Sequence, residues 1–555
     1  MQKTVSMYRF FLPLILFSNG LFAQKTKKEQ KRVIDNLQNH VKYLADDKLE
    51  GRRTGTNGER LAAEYIATQF KTAGLTPMKG APDFYQNYLI DDGKRVTDGS
   101  SILVDGVNKL TNPNQFHPLP NSPSANSLHV KYNPDINEKG NAWKLDLSEL
   151  IERNKENPHF DVYGSLKTEI KRYASNGASA VLVTQSERNP IDLTFNKKDK
   201  SEELPIPAFY IADSTLKKHL NDPSSEYDLK LDYGIIQSSR ASRNVIGWID
   251  NKATSNIIIG AHYDHLGYGE DGNSMFRSPE RLVHNGADDN ASGTSCLIEL
   301  ARLMVNRNPK THNYIYIAFS GEELGLYGSK HYVENALEPN ERTAYMINLD
   351  MVGRLNDTSN TITVGGYGTA IEWGELLNDN RYDRGFKIRF DSSGTGPSDH
   401  TSFYRKDIPV LFFFTGLHTD YHKPTDDYQK LNYEGSMKIV RYIIDVIDRS
   451  KSYTRLNFQK TREQQSTTTT RFSVSMGIMP DYTYSGNGVR VDGLSEGRPA
   501  KIAGIKTGDI ILKMGERDVD SVESYMKALS GFKKGEKTTV LIKRGNETVY
   551  YEIVF

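Results

Sequence analysis

The sequence predicts an α/β protein: a mainly parallel mixed sheet flanked by helices, with a β-rich inserted domain and a β-rich C-terminal module. Three observations carry this. Between residues 244 and 448, four apolar runs of strand length (257–259, 314–319, 345–349 and 410–414) alternate with helical stretches. Unbroken apolarity is what a strand buried on both faces requires, and helices between such strands make the connections parallel. From about 100 to 238 the chain turns rich in Asn, Pro and Lys, with short strand-like pieces at 102–104, 180–183 and 208–211. Finally, a polar tract at 451–471 ending in four threonines reads as a linker, after which short, glycine-punctuated apolar runs close the chain.

The elements follow in order. Lys3 and Arg9 precede an apolar run at 10–17, broken only by Pro13, and a segment ending on Ala23. This pattern predicts a secretory signal over 1–23, too short for a membrane span, and an exported protein, periplasmic or secreted. No cysteine follows the run, so no lipid anchor is expected, and no later stretch is apolar enough to cross a bilayer. Val33, Leu37, Val41 and Leu44 recur at helical spacing. A glycine-rich break at 50–55, a second amphipathic run at 60–70 and a strand at 85–90 follow. The expected domains are 24–99 with 239–450 as the α/β unit, 100–238 as the insert, 451–471 as the linker and 472–555 as the last module.

Composition limits the function classes. With 71 basic against 70 acidic residues and a net charge of +1, the chain lacks the excess that a nucleic-acid partner needs. Cys296 is the only cysteine, so an intrachain disulfide is impossible; in its apolar helical setting it reads as a core residue.

The chemistry lies just past the apolar runs. Residues 257–259 lead into His262-Tyr263-Asp264, and the run ending at Phe319 leads into Glu322-Glu323. Leu349 is followed by Asp350, and Phe414 by a loop reaching Tyr421-His422. A fifth segment, Asn285-Gly286-Ala287-Asp288-Asp289-Asn290-Ala291-Ser292-Gly293, precedes the Cys296 helix. Ligands of open α/β sheets sit at the carboxyl ends of the strands, so one sheet edge collects these groups. Two histidines and three carboxylates suit zinc, and five such ligands suit two ions sharing a carboxylate. Asp264, two residues beyond His262 on an extended segment, is placed to orient its imidazole. Glu322-Glu323 offers one carboxylate to a metal and one as a general base. His265, His284 and His418 are expected in loops or around the ligands. Ser398-Asp399-His400 are too close in sequence for a serine-protease triad and are expected to line the substrate pocket. Arg354 fits either a substrate carboxylate or an internal acid.

In this order, His-x-Asp, Asp-Asn-Ala-Ser-Gly, Glu-Glu, Asn-Leu-Asp-Met-Val-Gly and Tyr-His-Lys-Pro-Thr-Asp, the motifs are similar to those of the co-catalytic di-zinc aminopeptidases, aminopeptidase Y and the bacterial secreted leucyl aminopeptidases among them. The resemblance covers residues 31–99 and 239–450 and implies the zinc-exopeptidase fold. It implies one Zn2+ on His262 and Asp350, a second on Glu323 and His422, and Asp289 bridging them. It also implies Glu322 as general base toward the bridging water, Tyr421 as oxyanion donor and a cis bond between Asp289 and Asn290. The implied substrates are peptides or proteins with a free N-terminus. Glutaminyl cyclase and glutamate carboxypeptidase are relatives, so cyclase-like and carboxypeptidase-like activities remain open, as does a non-catalytic scaffold.

In the insert, residues 174–183 and 204–211 resemble the protease-associated domain. In the last module, residues 475–478, 488–491 and 497–511 are similar to PDZ domains of bacterial proteases. That resemblance implies that a C-terminal peptide docks by strand addition, its carboxylate meeting the loop at Met476-Gly477-Ile478.

Overall fold

Eight strands form the principal sheet: β1 (Tyr85–Val96), β2 (Ile235–Ile249), β3 (Asn256–His262), β4 (Asn313–Phe319), β5 (Thr343–Leu349), β6 (Thr361–Gly365), β7 (Lys387–Phe390) and β8 (Val410–Phe414). Their spatial order is β1-β2-β4-β3-β5-β8-β6-β7. The computed structural model describes residues 12–154, 162–185, 195–197, 199, 201–378, 384–461, 474–480, 487–494, 497–519, 522–529, 531–545 and 547–555. The expected signal and the expected linker thus each lie partly outside the described residues. From Leu12 the chain is helical to Leu44, and no described helix is long and apolar enough to cross a membrane.

The four central strands are mutually parallel: β4 with β3, β3 with β5, and β5 with β8. The outer pairs β2–β4 and β6–β8 are antiparallel, which makes the sheet mixed. Alternation along each strand splits its side chains between two cores. Ile257, Ile259 and Ala261 pack with the helices Leu12–Leu44, Asn57–Ala73, Gly293–Arg307 and Tyr433–Ser450, whereas Ile258 faces Phe403 and Ile408 on the opposite side. Tyr314, Tyr316 and Ala318 of β4 join the first core, and Ile315, Ile317 and Phe319 the second. Both faces are thus covered, which is why these runs carry no polar alternation. Because the central four run parallel, their carboxyl ends emerge at one edge.

Leu89–Arg240 form a compact unit of their own. Its eight-stranded sheet runs Asn108–Thr111, Ser101–Val104, Tyr227–Tyr233, Ala125–Tyr132, Ala142–Asp146, Ala180–Thr184, Ala208–Ile211, Phe116–Pro118. Near the C-terminus, Ile478–Pro480, Val489–Leu494, Ile510–Met514, Lys537–Arg544 and Glu547–Val554 make a separate antiparallel sheet with its own core of Met476, Val491, Ile511 and Ile542.

Candidate metal centre

The five candidate ligands converge at the carboxyl edge of β4, β3, β5 and β8. His262 is the last residue of β3 and Asp350 follows β5 directly. Glu323 lies in the turn after β4, and His422 in the loop after β8. Asp289 sits in an irregular helical turn, Ala287–Ser292, ahead of the Gly293–Arg307 helix. The Asp289–Asn290 bond is cis. Asn290 anchors this turn to the end of β5: its Nδ2 donates to Leu349 O at 2.9 Å, and its Oδ1 accepts from Gly293 N at 2.9 Å and Met351 N at 3.2 Å.

The spacing of the donors follows a plan. His262 Nε2 lies 3.3 Å from Asp350 Oδ1 and 3.4 Å from Asp289 Oδ1. His422 Nε2 lies 3.2 Å from Asp289 Oδ2 and 3.3 Å from Glu323 Oε2. Asp289 therefore offers one oxygen to each histidine. A tetrahedral zinc with bonds of about 2.0–2.1 Å sets its donors about 3.3 Å apart, so both halves fit that ion. The tautomers agree: His262 Nδ1–H donates to Asp264 O at 3.2 Å and His422 Nδ1–H to Asn273 O at 2.9 Å, which leaves each Nε2 lone pair facing the carboxylates.

Asp264 orients His262 chiefly through its backbone carbonyl, since its carboxylate is 3.7 Å from Nδ1. That carboxylate instead accepts from Thr54 Oγ1 at 2.8 Å and from the Glu322 N–H at 3.3 Å. Glu322 approaches His262 and Asp350 closely enough to form a second acidic grouping. Burial first, and then the charges of Asp350 and Glu323, push its carboxyl well above the usual range, with His262 opposing. Burial also works to raise Glu323, but the His422 and His265 imidazoles outweigh it and hold that carboxyl well below the usual range. In the same way, burial works to lower His262 and His422, yet the facing carboxylates carry both well above an ordinary imidazole. Tyr421 stacks on the His422 ring at 3.9 Å.

His265 takes the second of its two expected places, against a candidate ligand. Its Nδ1 lies 2.7 Å from Glu323 Oε1, so it holds the oxygen of Glu323 that faces away from His422. The signal available in the sequence was only its place one residue past Asp264. His284 bonds Ser274, and His418 Nε2 lies 3.2 Å from Asp288 Oδ2. Arg354 pairs with Asp420 at 3.1 Å and Asp426 at 3.2 Å, which selects the internal-acid reading. Ser398 Oγ accepts from Asn348 and His400 stacks on Phe412, so this trio is not a triad. Burial raises Asp399 to about 7 and lowers His400 to about 3. The Cys296 thiol is fully buried and pushed up by that burial, as suits a core residue.

Gly286 shapes the Asp289 turn. At φ +54° a Cβ would lie 2.1 Å from Asp289 O and 2.4 Å from His265 Cδ2. Gly286→Ala is expected to cost about 1–2 kcal/mol for the left-handed backbone alone and, because the Asp289 carbonyl must move, to weaken zinc binding. Thermal unfolding and zinc titration of the variant check both effects.

Residues 244–447 match peptidase family M28, and residues 460–554 match the PDZ domain. Aminopeptidase YwaD of Bacillus subtilis is 28% identical over 277 residues, 48% of this chain and 55% of its own length. Leucine aminopeptidase 2 of Trichophyton rubrum is 29% identical over 188 residues, 31% of this chain and 36% of its own. The chain thus spans about half the length of the first relative and less of the second. Among solved structures, a zinc aminopeptidase from Bacillus subtilis aligns over 75% of this chain and 95% of its own, with 20% identity and a TM-score of 0.42. Residues 244–447, the stretch that holds all five candidate ligands, are thus the part of the chain similar to peptidase family M28, and the match to the PDZ domain follows at 460–554.

Proposed function

We propose that the protein is an exported di-zinc aminopeptidase that removes N-terminal residues from peptides or proteins. The observation that carries this is Asp289 presenting one carboxylate oxygen to the His262–Asp350 pair and the other to the His422–Glu323 pair, at 3.2–3.4 Å. His262 and Asp350 would hold one zinc, Glu323 and His422 the other, with Asp289 between. Bound there, the ions would supply Lewis acidity and bring a water's pKa toward neutrality. Glu322 takes the proton from the attacking water and returns it to the leaving amine. The Tyr421 O–H donates to the oxygen that gains charge on the scissile carbonyl. His265, Asp264 and the Asn273 carbonyl keep Glu323, His262 and His422 in place. The aminopeptidase activity, as opposed to another hydrolysis, draws on the family match and the named relatives. The insert would act as a protease-associated module, and the PDZ domain would take a C-terminal peptide at its 476–478 loop.

Two measurements test the reading. Elemental analysis of the purified protein is expected to give close to two zinc ions per chain. A panel of aminoacyl chromogenic substrates beside N-blocked and C-terminally acidic peptides is expected to show cleavage only where the amine is free. Equal cleavage of blocked peptides, or cyclisation of N-terminal glutamine in place of hydrolysis, would overturn it.

A further inference from the structure

Four residues beyond His422 lies a carboxylate that the ligand set does not use. Asp426 is 1% exposed, and its hydrogen bonds reach two other ligand-bearing segments. Its Oδ2 accepts from the backbone N–H of Asp288 at 2.8 Å and of Asp289 at 3.1 Å, while its carbonyl accepts from Ala287 N at 3.0 Å. Its Oδ1 accepts from Arg354 Nη2 at 3.2 Å, four residues past Asp350. Asp288 Oδ1 closes the ring by accepting from Gly353 N at 2.7 Å.

We propose that Asp426 is a positioning residue for the metal centre, its buried carboxylate tying together the segments that carry Asp289, Asp350 and His422. The assignment rests on the zinc reading above. The bridging residue makes the greatest demand on geometry, because Asp289 must aim two oxygens in two directions at once. Two adjacent backbone N–H groups held by one carboxylate oxygen fix the orientation of the peptide that bears it. The guanidinium on the other oxygen fixes the distance to the Asp350 segment, and the chain itself fixes His422. A carboxylate serves both sides because it accepts on both oxygens, whereas an amide has a single acceptor oxygen. Partners of this kind around metal ligands commonly account for 10- to 100-fold in metal affinity.

The test compares zinc affinity, measured by competition with a chromogenic chelator, for the full chain and its variants. Asp426→Asn is expected to bind zinc about 10- to 100-fold more weakly while its circular dichroism stays that of the parent. Asp426→Glu, which keeps two acceptor oxygens, is expected to regain part of that loss. Asp420→Asn is the control: Asp420 bonds Arg354, Lys430 and Thr425 but no ligand-bearing backbone, and its zinc affinity is expected to stay within about threefold. Parental affinity in Asp426→Asn, or an equal loss in Asp420→Asn, overturns the assignment. If Asp426→Asn does not fold, Arg354→Met is read instead. It cuts the same tie from the other side, and parental zinc affinity there likewise overturns it. A parent chain that binds no zinc overturns the zinc reading itself, and so is distinguishable from failure of the variants alone.

Discussion

Glu322→Gln is expected to keep the zinc content of the parent and to lose about 10²- to 10⁴-fold in kcat, the range attributable to a positioned general base. The two adjacent glutamates occupy different surroundings, and that difference decides the outcome. Both oxygens of Glu323 are engaged, Oε1 by His265 at 2.7 Å and Oε2 facing His422 at 3.3 Å, which suits the ligand role proposed for it. Glu322 faces the His262–Asp350 side, while its own N–H anchors to Asp264. Glutamine has nearly the same shape, so the replacement removes proton acceptance and little else. KM is expected to change by less than about threefold, because the loss falls on an interaction made in the transition state. Glu323→Gln should behave oppositely, releasing zinc at concentrations where the parent retains it. Steady-state kinetics paired with elemental analysis separates the two. Activity of Glu322→Gln within tenfold of the parent would remove it from the base role.

What the sequence made legible follows from which contacts leave a local trace. The central strands were readable because burial on both faces forces unbroken apolar runs such as 314–319. Once those strands are parallel, their ends must share an edge, so His262, Glu323 and Asp350 could be gathered without coordinates. The order β2-β4-β3-β5-β8 left no such trace, because it depends on pairings between distant segments. The residues that brace the site were hidden for the same reason. Asp426 acts on backbone N–H groups 137 and 138 residues away, and a backbone partner has no side-chain identity to betray the contact. His265 stood in view beside the His-x-Asp motif, but its proximity to Glu323, 58 residues on, appears only in the fold. Arg52 was most deeply concealed: in the sequence it is part of a polar, glycine-rich break, the kind of segment that usually lies at the surface.

Arg52 is fully buried, and its replacement is expected to have the largest effect on stability. Its guanidinium donates from Nε to Tyr263 O at 2.7 Å, from Nη1 to Leu44 O and to Asn285 O at 2.7 Å, and from Nη2 to Gly286 O at 3.0 Å. One side chain thereby fastens the end of the first helix to the residue after His262 and to the entry of the Asp289 turn. Burial lowers the guanidinium to about 10, against the pull of Asp289, Asp264, Asp426 and Glu323, so it remains charged at neutral pH. It is a cation set among the acids of the metal centre. Arg52→Met removes that charge and strands the carbonyl oxygens of Tyr263, Leu44 and Asn285 in a dry interior, where each unsatisfied group costs about 1–3 kcal/mol, while Gly286 O keeps the N–H of Ala291 at 3.1 Å. Breaking a buried charge network of this type typically costs about 3–5 kcal/mol, a large part of the 5–15 kcal/mol by which domains are stable. Arg52→Lys keeps the charge but not the planar fork that reaches carbonyls in several directions, so it is expected to fall between parent and Arg52→Met. Urea unfolding of the zinc-stripped chain, followed by tryptophan fluorescence, reports on this region through Trp248 and Trp373. Stripping the metal keeps zinc binding from masking the loss. An Arg52→Met variant within about 0.5 kcal/mol of the parent would show that the ligand loops hold their shape without the clamp, the magnitude of an ordinary surface change rather than of a buried network.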